Sequence, residues 1–278
     1  MIRILVDSSA DYTLEELKER ELELAPLVIN IGEDSYRDVV EITRDELYQI
    51  LLNGTEHPKT SQPSPQDFVS IFEKVKEAGD SMICILLSST LSGTFQSATI
   101  AKDMVEYEHI HIIDSLSATH AIRLLADHAC QLRKEELDVI AIIDAIEDLK
   151  SRTKILAAVD TLEYLYKGGR VSKAVATVGE LASIKPIITI TDQGTVAMTG
   201  KALGRNKAIQ TLTKMITECG IDDSFPCYSV YAFGTENAEL LEQKLTTAGI
   251  RIDARLQIGA AIGVHVGPGA YGAIFVQK

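Results

Sequence analysis

The chain opens with a short apolar run, Ile2 to Val6, that stops at the polar turn Asp7-Ser8-Ser9-Ala10-Asp11. A run of this length bounded by turn residues predicts a buried strand. Thr13 to Arg20 predicts a short helix, with Thr13 as cap and Glu15 and Glu16 in the first turn, where the helix dipole favours negative charge. Leu24 to Ile31 predicts a second strand. Thr43 to Leu52 predicts a helix that starts on a capping box, Thr43-Arg44-Asp45-Glu46. Ser64-Pro65 opens a helix to Lys76, with serine as cap and proline at the first helical position. Met82 to Leu87 predicts a buried strand, Ser92-Gly93 leads into a helix ending near Val105, and His109 to Ile113 predicts another strand. Two helices follow, over about 117–133 and 137–150.

This alternation of strand and helix predicts a parallel sheet with helices on both faces, a three-layer α/β/α domain over residues 1–150. From Ile155 to Val159 the rhythm changes. A short helix, Thr161 to Lys167, is broken by Gly168-Gly169, and Ser172 to Ala182 predicts a further helix. Pro186 to Thr191 and Thr195 to Leu203 flank Asp192-Gln193-Gly194, a hairpin signal. Helical stretches from Arg205 to Cys219 and Glu236 to Ala248 and three more apolar runs complete a mixed-sheet α/β domain over residues 151–278. No Pro/Gly/Ser-rich linker marks the boundary near 150, so the two domains are expected to share a large interface.

The length of 278 residues fits two domains at about 150 residues each. The chain carries 27 basic and 40 acidic residues, a formal net charge of −13. That surplus argues against a nucleic-acid partner, because phosphate affinity comes from clustered Lys and Arg. It argues equally against more than transient contact with an anionic membrane surface. The first residues reach Asp7 with none of the pattern of a secretory leader, and no apolar run approaches a membrane span. The cysteines at 84, 130, 219 and 227 form no C-x-x-C pair. The expectation is a cytoplasmic protein with reduced, structural thiols.

Several motifs fail on inspection. Gly267-Pro268-Gly269-Ala270-Tyr271-Gly272 spells G-x-G-x-x-G, but a dinucleotide fingerprint needs a following helix, and Ala273 to Val276 predicts a strand. No P-loop and no G-x-S-x-G elbow occurs. His109-x-His111 has no flanking ligand pattern, so no metal is expected. Asp7-Ser8-Ser9-Ala10-Asp11 hints at a phosphate-transfer aspartate, but a strand-end turn is the better reading.

Three polar clusters stand out against apolar surroundings: Lys59-Thr60-Ser61-Gln62-Pro63-Ser64-Pro65, Ser88-Ser89-Thr90-Leu91-Ser92-Gly93-Thr94, and Gly263-Val264-His265-Val266-Gly267-Pro268-Gly269. The first two put hydroxyls and free N–H groups at predicted helix starts, beyond the carboxyl ends of strands, where parallel sheets bind ligands and helix dipoles favour anions. The third supplies an imidazole hemmed in by glycine. Each has a structural alternative, helix capping for the hydroxyls and a satisfied core residue for His265.

Taken together, Lys59 to Ser64, Leu91-Ser92-Gly93-Thr94, Ile113-Asp114-Ser115, Tyr166-Lys167-Gly168-Gly169-Arg170, Ile184-Lys185-Pro186-Ile187 and His265-Val266-Gly267-Pro268-Gly269 resemble the DegV family, as does the opening Ile4 to Asp11. The ordered set spans essentially the whole chain. The resemblance implies a long-chain fatty acid held in a tunnel between two α/β domains. It further implies a non-catalytic acyl-carrying subunit of bacterial fatty acid kinase, which presents the carboxyl group to a separate ATP-binding subunit for acyl-phosphate formation in phospholipid metabolism. On this reading Thr60 and Ser61 form the first carboxylate loop, Ser92 and Gly93 the second, and His265 stands by the head group. Arg170 and Arg205 are then partner contacts, with Arg170 on an exposed loop, and no catalytic residue, cofactor or metal is expected. Family members often carry a denser basic segment where this chain has Lys201 to Lys207 around Arg205. The chemistry is consistent: hydroxyls and N–H groups can satisfy a buried carboxylate, and each buried CH₂ contributes about 0.8 kcal/mol. The rival readings are a hydroxyl-based hydrolase, which lacks a recognisable base beside Ser92, and a small-anion-sensing regulatory module.

Overall fold

In the computed structural model, residues 1–54, 57–177 and 183–278 are described. Their strands run β1 (Ile2–Asp7), β2 (Leu22–Ala25), β3 (Val28–Ile31), β4 (Asp34–Arg37), β5 (Lys59–Ser61), β6 (Ser81–Leu86), β7 (Ile110–Asp114), β8 (Thr153–Ala158), β9 (Ile184–Ile190), β10 (Val196–Leu203), β11 (Tyr228–Tyr231), β12 (Ala254–Gln257) and β13 (Tyr271–Val276). They form a four-stranded parallel sheet ordered β2-β1-β6-β7 and a mixed six-stranded sheet ordered β10-β9-β8-β13-β11-β12. A small antiparallel sheet, β4-β3-β5, packs against the helix Ala260–Val266. The two-domain α/β architecture agrees with the expectation from sequence, and the chain passes from the first large sheet to the second through the helices His120–Lys134 and Val139–Arg152.

The layering follows from residue alternation. Along β1, Leu5 faces the helices Pro65–Ala78 and Thr94–Val105, where Phe68, Phe72 and Ala98 are wholly buried. Ile4 and Val6 point the other way, into a core shared with Ile122, Leu125 and Ile142 of the two linking helices. That same core takes Ile155, Ala157 and Val159 from the second sheet, so the linking helices are packed between the sheets. Leu156 and Ala158 point to the outer face, under the helices Gly204–Cys219 and Glu236–Thr247. Capping is local and legible: Thr13, Thr43 and Ser64 each accept from the backbone N–H three residues on, within full capping boxes.

Three local expectations change. The strand expected over 24–31 is two strands in different sheets, because Pro26 lacks an N–H and cannot continue the ladder. The hydroxyl-rich turn at 59–61 is a strand, β5, paired with β3. The helix expected over 172–182 is described at Lys173–Thr177, and its remainder lies outside the described residues. Among the described residues no helix is long and apolar enough to cross a membrane.

Candidate ligand-binding site

Between the sheets lies a partly open cavity of about 80 Å³, several times the ~10–15 Å³ that one water requires. Its walls are aliphatic. Ile155, Ala157 and Val159 come from β8 and the residue after it, and Leu27, Leu87 and Ala118 come from the N-terminal half. Water gains little in such a space, whereas an alkyl chain gains the full transfer energy.

Polar groups gather in the wall beside the residues that close the N-terminal sheet. Strand β5 turns Thr60 inward, and its Oγ1 lies 2.8 Å from Nε2 of His265. His265 sits in the last turn of the helix Ala260–Val266 and is buried. Burial, with the nearby charges of Arg170 and His57, pushes its pKa down to about 3, so the ring is neutral at physiological pH. Nδ1 has no hydrogen-bond partner among the described residues. A proton on Nε2 therefore leaves only a bare lone pair buried at Nδ1, whereas the other tautomer would bury an unpaired N–H. With Nε2–H donating to Thr60, the threonine O–H is free to donate into the cavity.

Gly168 lies against the ring: a Cβ there would come within 2.1 Å of Nδ1. Ser92 also lines the cavity. Its Oγ accepts from the Thr94 N–H at 3.3 Å and lies 2.9 Å from the Thr94 hydroxyl, which fixes its rotamer before the helix that starts at Thr94.

Arg170 is half-buried and lines the same cavity, where an exposed loop was expected. Its Nε donates to the Leu91 carbonyl at 3.0 Å and Nη1 donates to the Gly168 carbonyl. Burial lowers its pKa, and no carboxylate among the described residues opposes that shift. The result is a guanidinium bonded to neutral carbonyls, with no counter-charge among the described residues, next to two hydroxyls and a neutral imidazole. An anion completes such a set.

The structure thus brings Thr60, Ser92, His265 and Arg170 to one cavity. It places the other candidates outside it. Ser61, the next residue on β5, points to the opposite face, and its hydroxyl accepts from Asn30. Gly93 caps the following helix, and the Gln62 side chain occupies the space its Cβ would need, 2.6 Å away. Arg205 is exposed in the first turn of the helix Gly204–Cys219, on the outer face of the six-stranded sheet. Of the remaining hydroxyls in the second cluster, Ser88 and Thr90 donate to the Gly194 carbonyl and pin the β9–β10 hairpin. Ser64 is a helix cap. Sequence reasoning missed Thr119 and the aliphatic wall, whose residues are indistinguishable from core until the space facing them is seen to be empty.

The family model described as "Uncharacterised protein, DegV family" covers residues 1–278. The chain belongs to the DegV family. A DegV domain-containing protein of Caldanaerobacter subterraneus subsp. tengcongensis is 34% identical, over 100% of this chain and 99% of its own. A fatty-acid-binding DegV family protein of Thermus thermophilus superposes with a TM-score of 0.89 at 29% identity, over 100% of this chain and 99% of its own. A stearic-acid-binding protein of Eubacterium ventriosum gives a TM-score of 0.89 at 28% identity with the same coverage. DegV from Bacillus subtilis, also a fatty-acid-binding protein, gives 0.85 at 29%, again over 100% and 99%.

Proposed function

We propose that this DegV protein binds a long-chain fatty acid, with its tail in the aliphatic cavity and its carboxylate at Thr60, Ser92, His265 and Arg170. The observation that carries this is the junction of an apolar cavity with two positioned hydroxyls and a guanidinium that has no carboxylate partner among the described residues. A carboxylate on an alkyl chain satisfies both parts at once, and the fatty-acid-binding DegV relatives support the assignment. A hydrolase is disfavoured because Ser92 Oγ is bonded to Thr94, while the imidazole is bonded to Thr60.

The acyl-carrier role follows from the same reading. The chain binds the acid and a separate ATP-binding subunit phosphorylates it. Arg170 stands where it can steady the growing negative charge of an acyl phosphate, and exposed Arg205 offers a docking contact. Denaturing extraction of the purified protein followed by mass spectrometry should recover a stoichiometric long-chain fatty acid. Recovery of no lipid, together with failure of the delipidated protein to take up palmitate, would refute the assignment. Acyl-phosphate formation from the loaded protein, ATP and a candidate kinase subunit tests the carrier role, and Arg205→Glu should impair that coupling while leaving bound lipid in place.

A further inference from the structure

The turn that closes β1 ends at Asp11, a residue with no solvent exposure and a left-handed backbone (φ 60°, ψ 33°). Its carboxylate makes two contacts that belong to different parts of the molecule. One oxygen accepts from the Thr119 hydroxyl at 2.5 Å. The other lies against Gly259, so closely that a Cβ there would sit 2.2 Å from it. Gly259 caps the helix Ala260–Val266, the helix that carries His265. Thr119 lines the ligand cavity.

Thr119 is also the most strained residue near the site. Its φ of 54° and ψ of −147° fall in a region that essentially only glycine occupies, and a β-branched residue there must be held by its surroundings. The Asp11 carboxylate is the group that holds its side chain.

The surroundings confirm that this carboxylate is kept at a cost. Arg44 donates to the Asp11 backbone carbonyl and to Gln257, so its charge is nearby but not on the carboxylate. His120 Nε2 lies 3.8 Å away but bonds to the Gln257 carbonyl, and burial keeps that imidazole neutral. Asp38, itself 1% exposed, shares the pocket; its oxygens face the Ser8 hydroxyl and the Ala261 N–H without a well-formed hydrogen bond to either. Burial pushes Asp11 up to about 6 and Asp38 up to about 7. Two buried carboxyls at the root of one seven-residue helix are an expensive way to pack a core. On the far side, Tyr48 seals the helix by lying where a Cβ of Gly263 would go, with its hydroxyl donating to Ile258.

We propose that Asp11 is a positioning residue for the head-group site, tying Thr119 in the cavity wall to the helix that presents His265. It acts without touching the ligand: it sets the distance between the N-terminal half, which supplies Thr119, and the helix root at Gly259. The inference rests on the fatty-acid reading for its functional consequence, but the mechanical link has its own readout.

The test compares Thr119→Val, which keeps the shape and removes the hydroxyl, with Thr119→Ser, which keeps the hydroxyl. Hydrogen exchange of the segment 260–266 is measured in the delipidated full-length chain, alongside palmitate affinity. Thr119→Val should accelerate exchange there and weaken palmitate binding, each by about tenfold, the scale of one charge-assisted hydrogen bond. The helix Glu236–Thr247 should be unchanged. Thr119→Ser should restore both readouts to within about threefold of wild type. Wild-type exchange and affinity in Thr119→Val would overturn the proposal, as would equal acceleration in the remote helix or failure of Thr119→Ser to rescue. If Thr119→Val does not fold, Asp11→Gly takes its place: it keeps the left-handed backbone while removing both carboxylate contacts, and exchange at 260–266 should again rise selectively. A wild-type chain that binds no palmitate would refute the fatty-acid reading alone, since the exchange comparison still decides the link.

Discussion

Thr60→Val isolates the hydrogen bond at the centre of the proposed head-group site. Thr60 lies in the middle of β5, opposite Ile29, and valine keeps both its shape and its preference for a strand. The substitution removes one oxygen, and with it the 2.8 Å contact to His265 Nε2. Since Nδ1 already lacks a partner, the ring would be left with neither nitrogen bonded. An orphaned buried polar group costs about 1–3 kcal/mol, so the ligand-free protein should lose a few degrees of melting temperature. The bound carboxylate loses a donor as well. A hydrogen bond to a charged group is worth about 1.5–3 kcal/mol, which predicts palmitate binding about 10- to 150-fold weaker. Calorimetric titration of delipidated protein, with thermal melts run in parallel, reads both quantities. Ser61→Ala is the control, because Ser61 faces away from the cavity on the same strand; it should bind within about twofold of wild type, as expected for a contact outside the site. Affinity of Thr60→Val within threefold of wild type, or an equal loss in Ser61→Ala, would show that the inward face of β5 does not hold the carboxylate.

Gly168→Ala places a methyl where Nδ1 of His265 now lies, 2.1 Å from the required Cβ. The ring must move off Thr60, so palmitate affinity should fall by at least about tenfold, the worth of that one bond, and unchanged binding would mean the ring is free to shift. Asp38→Asn should stabilise the protein, in a pH-dependent way. Burial, reinforced by the Asp11 charge and offset in part by Arg44, raises the Asp38 pKa from 3.8 to about 7. The folded state therefore binds this proton more tightly than the unfolded chain, and the cost of ionising Asp38 grows as pH rises from about 4 to about 7. It is complete above that, at a few kcal/mol at most. Denaturant unfolding should find Asp38→Asn more stable than wild type at pH 8, with the gap closing toward pH 4; a less stable variant at pH 8 would show that the carboxylate is needed in its charged form.

What could be read from sequence, and what could not, divides by the distance over which each feature is determined. Thr13, Thr43 and Ser64 announce their helices because a capping box is complete within four residues. The parallel sheet is legible because each buried run is followed at once by the helix that covers it. Strand β5 is invisible for the opposite reason: three residues carry no periodicity, and Lys59 to Ser61 become a strand only by pairing with Val28 to Asn30. That pairing decides which hydroxyl matters. Read as a turn, Thr60 and Ser61 are equivalent donors; read as a strand, one faces the cavity and the other faces Asn30. Arg170 shows the same effect. Following two glycines it has every local reason to be a surface residue, and it is the Leu91 carbonyl, 79 positions away, that turns it inward.

The glycines around His265 extend the point to the rigidity of the site. Gly259 and Gly263 lie near it in the sequence and Gly168 only in space, and the reason for each lies in a remote side chain: Asp11 against Gly259, Tyr48 against Gly263, and the His265 ring itself against Gly168. None of these three approaches leaves room for a methyl group. The helix that carries the imidazole is therefore gripped at its start, along its length and at its end before any ligand arrives. A site built this way spends little on ordering when it binds, so its affinity should come from tail burial and its selectivity from the fixed spacing of Thr60, Ser92 and Arg170. It follows that variants in the grip, although they touch no ligand, should weaken binding of a short and a long acid by the same factor, whereas variants in the aliphatic wall at Ala157 or Ile155 should change the ratio between them.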